Sequence, residues 1–253
     1  MALRELYLNL VKRSLTGLLY EDVPRTVMPI AGMVDQNPKV FTRKWREWGR
    51  DVPSEALTMI GLRRMENIQF CVERALADDV RGDLIETGVW RGGAAIFMRA
   101  LLKSHGVDDR SVWVADSFEG MPVPDVERYP SDIQWKIAAG ALSIPLDEVR
   151  HNFEIYGLLD DQVRFLPGWF KNTLLTAPIE RLAVLRLDGD LYESTWTVLT
   201  HLYPKLAPGG FVIIDDFGLD SCQQAVEDYR RRHEITEQIV DIDGMAVFWR
   251  RRS

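Results

Sequence analysis

The stretch Leu84-Ile85-Glu86-Thr87-Gly88-Val89-Trp90-Arg91-Gly92-Gly93 constrains this chain more than any other. A short apolar run delivers an acid and then three glycines, the grammar of a buried strand turning sharply into a helix. Two later segments, Asp188-Gly189-Asp190 and Asp215-Asp216, put carboxylates just past apolar runs of the same kind. Open α/β sheets bind ligands beyond the carboxyl ends of their strands, so all three segments are expected at one sheet edge.

Strand and helix patterns alternate on either side of these segments. Strands are expected at 84–87, 111–115, 163–166, 182–187 and 211–214, with helices at 94–103, 194–206 and 221–233. Such alternation implies an α/β fold: a doubly wound, mostly parallel sheet covered by helices on both faces. Near the end, Asp243-Gly244 separates two short apolar runs, and the hairpin it predicts makes the last strand antiparallel. The 253 residues, 46% of them hydrophobic, suit a single large domain.

Two regions depart from the alternation. Residues 1–52 read as a helical cap: Leu3, Leu6, Leu10 and Val11 recur at helical spacing, and a stretch rich in prolines, charges and aromatics follows. A helix is then expected from Pro53-Ser54-Glu55, with Ser54 as its N-cap. Residues 118–150, with Pro122, Pro124, Pro130 and Pro145, are too long for an ordinary connection and read as a lid loop.

Composition removes several function classes. A net charge of −7 argues against a general phosphate-backbone binder, which needs clustered Lys and Arg. No segment approaches the roughly 20 apolar residues of a membrane span, and no signal peptide is evident, so a soluble cytoplasmic protein is expected. The two cysteines, Cys71 and Cys222, lie in helical patterns and read as reduced core residues. The four histidines show no HExxH-type spacing, and neither a nucleophile elbow nor a P-loop is present.

The glycine loop alone could be a simple strand-to-helix turn. Its spacing is not GxGxxG, because Trp90 stands where a dinucleotide fingerprint needs glycine. Glu86 beside it would repel a pyrophosphate and attract a cation, which suits a sulfonium cofactor with an amino group better than NAD. Asp116, ending the next strand, is placed either to accept ribose hydroxyls or to cap its loop. Gly168-Trp169-Phe170 follows another strand and offers either an aromatic face to an adenine or a core plug. Four converging aspartates would be costly without a countercharge, and a hard divalent cation, magnesium by default, would supply one. Asp188, Asp215 and Asp216 suit the metal, and Asp190 suits a general base that deprotonates an activated hydroxyl.

Taken together, the segments around Glu86–Gly93, Ala115-Asp116-Ser117-Phe118-Glu119-Gly120, Leu187–Tyr192 and Gly209–Phe217 resemble the macrocin O-methyltransferase family, most closely its mycinamicin branch. The likeness runs from about Leu6 to Arg251 and includes Thr58-Met59-Ile60-Gly61 and the run from Leu158 to Phe170. It implies a class I, Rossmann-like methyltransferase fold with a seven-stranded sheet. The implied reaction is magnesium- and S-adenosylmethionine-dependent methylation of a sugar hydroxyl on a glycosylated natural product. The implied cofactor site comprises Thr58, Met59, Glu86, Gly88, Trp90, Asp116, Ser117, Gly168, Trp169, Phe170 and Asp188. Asp188, Asp215 and Asp216 are the implied metal ligands and Asp190 the implied base; catechol-methylating relatives use a lysine near this point, and none lies between Asp188 and Trp196. The resemblance also implies a homo-oligomer whose N-terminal segment and long loop help close the pocket over a small-molecule glycoside, although residues 23–52 and 121–149 match least. The competing readings are an NAD-dependent oxidoreductase on the same sheet and a non-catalytic small-molecule binding protein that keeps the fold.

Overall fold

The computed structural model describes residues 3–27 and 40–252, and the part of the N-terminal cap that spans 28–39 lies outside them. In chain order the elements are α1 (Leu3–Leu15), β1 (Pro24–Val27), α2 (Arg43–Glu47), β2 (Asp51–Pro53), α3 (Gly61–Ala77), β3 (Asp83–Thr87), α4 (Gly93–Ser104) and β4 (Val112–Asp116). A 3₁₀ segment, Pro130–Ala138, precedes α5 (Leu146–Ile155), β5 (Val163–Pro167), α6 (Phe170–Thr173), β6 (Leu182–Leu187) and α7 (Tyr192–Leu202). The chain closes with β7 (Leu206–Ile214), α8 (Asp220–Arg232), β8 (Val240–Asp241) and β9 (Val247–Arg250).

Seven of these strands form one sheet in the order β5-β4-β3-β6-β7-β9-β8. The pairs β3–β4, β4–β5, β3–β6 and β6–β7 are parallel, and β9 runs antiparallel to β7, as the Asp243-Gly244 hairpin predicts. The chain leaves β3 in one direction through β4 and β5, then returns to β6 on its other side. That reversal opens a crevice between the carboxyl ends of β3 and β6, where ligands bind in such sheets. Strands buried on both faces read as unbroken apolar runs, and all six residues of β6 are buried. Two apolar cores result: one joins α1, α3 and α4 to the sheet, and the other joins α7 and α8 to its opposite face.

Three expectations need correction. The leading helix forms, but Leu3, Leu6 and Leu10 face outward, whereas Leu8, Val11 and Leu15 pack inward. Both sets satisfy helical spacing, and the choice between them is made by α4, against which α1 rests. No helix starts at Ser54; α3 begins at Gly61. Residues 54–60 instead spend their backbone donors elsewhere: Glu55 N and Ala56 N donate to Asp22 Oδ2, and Leu57 N and Thr58 N donate to Leu15 O. Tertiary partners thereby override a good local cap. Finally, the 118–150 interval is not all loop, since it holds the 3₁₀ segment and the first turns of α5.

Candidate active site

Gly88 directly follows β3 with φ +87°, and any side chain there would overlap the carbonyl oxygen of Asp188, which directly follows β6. Only glycine lets the two strand ends come this close. Gly93 opens α4, and a Cβ on it would stand 2.5 Å from the Leu57 carbonyl oxygen, to which its own amide donates at 3.0 Å. The glycine loop is thus pressed against residues 57–58, and Thr58 and Met59 join the wall of a cavity of about 600 Å³. Glu86, Trp90, Asp116, Ser117, Trp169 and Phe170 share that wall with the aspartates 188, 190, 215 and 216. Gly168 stands behind it, its amide donating to Asp116 O at 2.8 Å.

Asp116 is occupied on both oxygens. Oδ2 accepts Val89 N at 2.7 Å, and Oδ1 accepts Phe118 N at 2.8 Å and the Ser117 hydroxyl at 3.4 Å. Burial still raises its carboxyl above the usual range, against the pull of these amides.

The acidic cluster contains two partners that the sequence pattern did not single out. Arg186, fully buried on β6, donates from Nη1 to Glu86 Oε1 at 2.5 Å and to Asp188 Oδ2 at 2.9 Å, and from Nη2 to Asp215 Oδ1. Arg64, on α3, donates from Nη1 to Asp215 Oδ2 at 2.5 Å and from Nε to Asp243 Oδ2 at 2.8 Å. An arginine inside a predicted strand or helix reads as a solvent-facing residue, so periodicity gives no signal for either; what marks Arg186 is its place in the otherwise apolar run Leu182–Leu187. Burial alone would lower both guanidiniums, and the surrounding carboxylates more than reverse it.

Two guanidiniums do not neutralise the five carboxylates at the cavity and Asp243 besides. Burial pushes Glu86 up to about 8 despite Arg186, Asp190 to about 7 and Asp188 to about 6, with neighbouring carboxylates adding to each rise; Asp216 is raised for the same reasons. Asp188, Asp215 and Asp216 each offer a carboxylate oxygen within 4.8 Å of the others, a donor set that fits a hard divalent cation. Asp215 already carries two guanidiniums, and the freer oxygens are Oδ1 of Asp188 and Oδ1 of Asp216. Glu86 Oε2 is buried on the cavity wall without a side-chain partner, the nearby Ala95 amide being the one backbone group that lowers its pKa, and so fits a cationic amino group brought by a cofactor. The Asp190 carboxylate makes no hydrogen bond or ion pair among the described residues, whereas its backbone is held at both ends: N donates to Asp216 Oδ2 and O accepts the Ser221 hydroxyl, each at 3.0 Å.

The 120–142 segment roofs the cavity with Met121, Pro122, Trp135 and Leu142. No helix among the described residues is long and apolar enough to cross a membrane.

Comparison with known proteins gives the family of the chain. Residues 4–251 match the family described as Macrocin-O-methyltransferase (TylF). The 8-demethyl-8-(2,3-dimethoxy-alpha-L-rhamnosyl)-tetracenomycin-C 4'-O-methyltransferase of Streptomyces olivaceus is 56% identical over 249 residues, covering 98% of this chain and 93% of that protein. The mycinamicin III 3''-O-methyltransferase of Micromonospora griseorubida is 52% identical over 251 residues, covering 98% and 96%. Among solved structures, that of the O-methyltransferase NovP superposes with a TM-score of 0.91 at 47% identity, covering 99% of this chain and 100% of that one. The sheet is therefore that of a class I methyltransferase, and the chain belongs to the macrocin-O-methyltransferase family.

Proposed function

We propose that this protein transfers the methyl group of S-adenosylmethionine to a sugar hydroxyl of a glycosylated natural product, with magnesium as its working metal. The observation that carries the reading is that Glu86 Oε2 and the Asp190 carboxylate, neither with a side-chain partner among the described residues, belong to residues lining one cavity. One suits the cationic end of the cofactor and the other a proton to be removed. An NAD pyrophosphate would instead meet the acids Glu86 and Asp188 at the glycine loop, where Arg186 is already taken up by them and is not free to receive it.

In this reading Glu86 receives the cofactor's amino group, Gly88 lets it lie against the strand end, and Asp116 orders the loop through Val89 N and Phe118 N. Trp169 and Phe170 supply an aromatic wall. Asp188, Asp215 and Asp216 would hold the cation, which when bound would make a substrate hydroxyl more acidic. Asp190 takes the hydroxyl proton, and its carboxylate, freed of protein partners and raised towards neutrality by burial, is matched to that task. Arg186 and Arg64 keep Asp188 and Asp215 in place while leaving an oxygen of Asp188 open. The roof of Met121, Trp135 and Leu142 excludes water and offers an apolar surface to an aglycone. The two relatives named above carry different positional designations, 4' and 3'', so family membership fixes no particular hydroxyl.

The test is turnover of demethylated glycosides with S-adenosylmethionine, read as S-adenosylhomocysteine formed, with and without magnesium. Product in the wild type and none in Asp190→Asn supports the reading. Equal turnover by the two proteins removes Asp190 as the base, and no turnover of any glycoside removes the reaction.

A further inference from the structure

We propose that Ser221 is a positioning residue that couples seating of the 120–142 lid to the backbone conformation of Asp190. The inference rests on the methyl-transfer reading for the role of Asp190 and goes beyond it in naming what holds that residue in place.

Asp190 sits at φ +56°, in the left-handed region that a side chain disfavours. Such a conformation persists only when its surroundings impose it. The constraint on its carbonyl is the hydroxyl of Ser221, a fully buried residue in the first turn of α8, at 3.0 Å. The same hydroxyl accepts the indole N–H of Trp135, also at 3.0 Å. A serine hydroxyl has one proton and two lone pairs, so a donor arriving from Trp135 leaves that proton for Asp190 O. Each bond polarises the next, and the chain Trp135–Ser221–Asp190 is stronger than its parts.

Trp135 is a lid residue, and the lid grips the same corner a second time. Asp132, three residues earlier in the 3₁₀ segment, accepts Tyr192 N at 2.7 Å and Glu193 N at 3.1 Å. These are the first two residues of α7, whose own N-cap position holds Leu191, a side chain with no acceptor. The helix that begins two residues after Asp190 is therefore capped from the lid. Tyr129 reinforces the contact, with its ring 5.5 Å from that of Tyr192. When the lid lifts, α7 loses its cap and Ser221 its donor together, and the left-handed turn at Asp190 is left to the Asp216 contact at its amide and an unreinforced Ser221 bond at its carbonyl. Seating the lid over a substrate restores both.

The experiment compares the wild type with Ser221→Ala, Trp135→Phe and Asp132→Ala. Hydrogen exchange over residues 188–194 is read by mass spectrometry without substrate, and kcat, KM and cofactor affinity are measured with a turned-over glycoside. Each variant is expected to speed exchange in this segment and to lower kcat about five- to tenfold, the weight of roughly one net hydrogen bond, while cofactor affinity holds. The Ser221→Ala/Trp135→Phe double variant should lose little more kcat than Ser221→Ala alone, because both act through one chain. Unchanged exchange in Trp135→Phe and Asp132→Ala, or fully additive kcat losses, would overturn the proposal. The two lid variants decide the matter even if Ser221→Ala folds poorly. Exchange needs no substrate, so it tests the coupling independently; a wild type that methylates no glycoside would refute the methyl-transfer reading and not this one.

Discussion

Glu86 and Arg186 are register partners on the adjacent parallel strands β3 and β6, and Arg186 Nη1 lies 2.5 Å from Glu86 Oε1 with both side chains sealed from solvent. Through Nη1 and Nη2 the same guanidinium also reaches Asp188 and Asp215, so one cation orders both the carboxylate proposed for the cofactor and two proposed for the metal.

Removing that cation should be costly. Arg186→Met leaves Glu86, Asp188 and Asp215 short of a buried countercharge, and breaking such a pair costs about 3–5 kcal/mol. A marked fall in the thermal midpoint is expected, smaller when Glu86→Gln is added, because the second change removes a stranded charge. Thermal denaturation of the single and double variants checks this, and an Arg186→Met protein as stable as wild type would contradict it.

Gly88→Ala tests the close approach of the strand ends. The new Cβ would meet the Asp188 carbonyl oxygen in a backbone conformation with φ +87°, so β3 and β6 must separate. A loss of at least about 1–3 kcal/mol is expected, together with weakened cofactor affinity. Urea denaturation and calorimetry read the two effects separately.

Much of this was legible in the sequence because each strand end announces itself: an apolar run stops, and an acid or glycine follows. The residues it picks out, Glu86, Gly88, Asp116, Asp188, Asp190, Asp215 and Asp216, line one cavity. Where the sequence misleads, a distant partner decides. Ser54 has the chemistry of a cap, but the following amides are claimed by Asp22 and Leu15. The outward stripe of α1 is as periodic as its inward one. Arg64 meets Asp215 from 151 residues away, a separation no local pattern encodes. Asp132 likewise caps a helix 60 residues downstream.

Asp190→Asn should separate chemistry from binding. Loss of a general base typically lowers kcat by about 10²–10⁴. The carboxylate makes no hydrogen bond or ion pair among the described residues, and the backbone bonds at Asp190 N and O do not involve it, so the fold and cofactor affinity should remain near those of the wild type. Steady-state kinetics and calorimetry on the same preparation check both halves.

Metal removal should act on turnover and not on cofactor binding. A chelator is expected to abolish methylation and added magnesium to restore it, because Asp188, Asp215 and Asp216 are left with excess negative charge when the cation is absent. Asp216→Asn should show the same loss without rescue by magnesium. Turnover unaffected by chelation would remove the metal from the account.

The most direct measurement is calorimetric titration of the purified protein with S-adenosylmethionine, with NAD as the comparison ligand, repeated on Glu86→Gln. The account predicts saturable binding of the sulfonium cofactor alone, weakened in the variant by about 1.5–3 kcal/mol, the worth of a hydrogen bond to a charged group. Binding of NAD, or of neither ligand, or an undiminished affinity in Glu86→Gln, would contradict it.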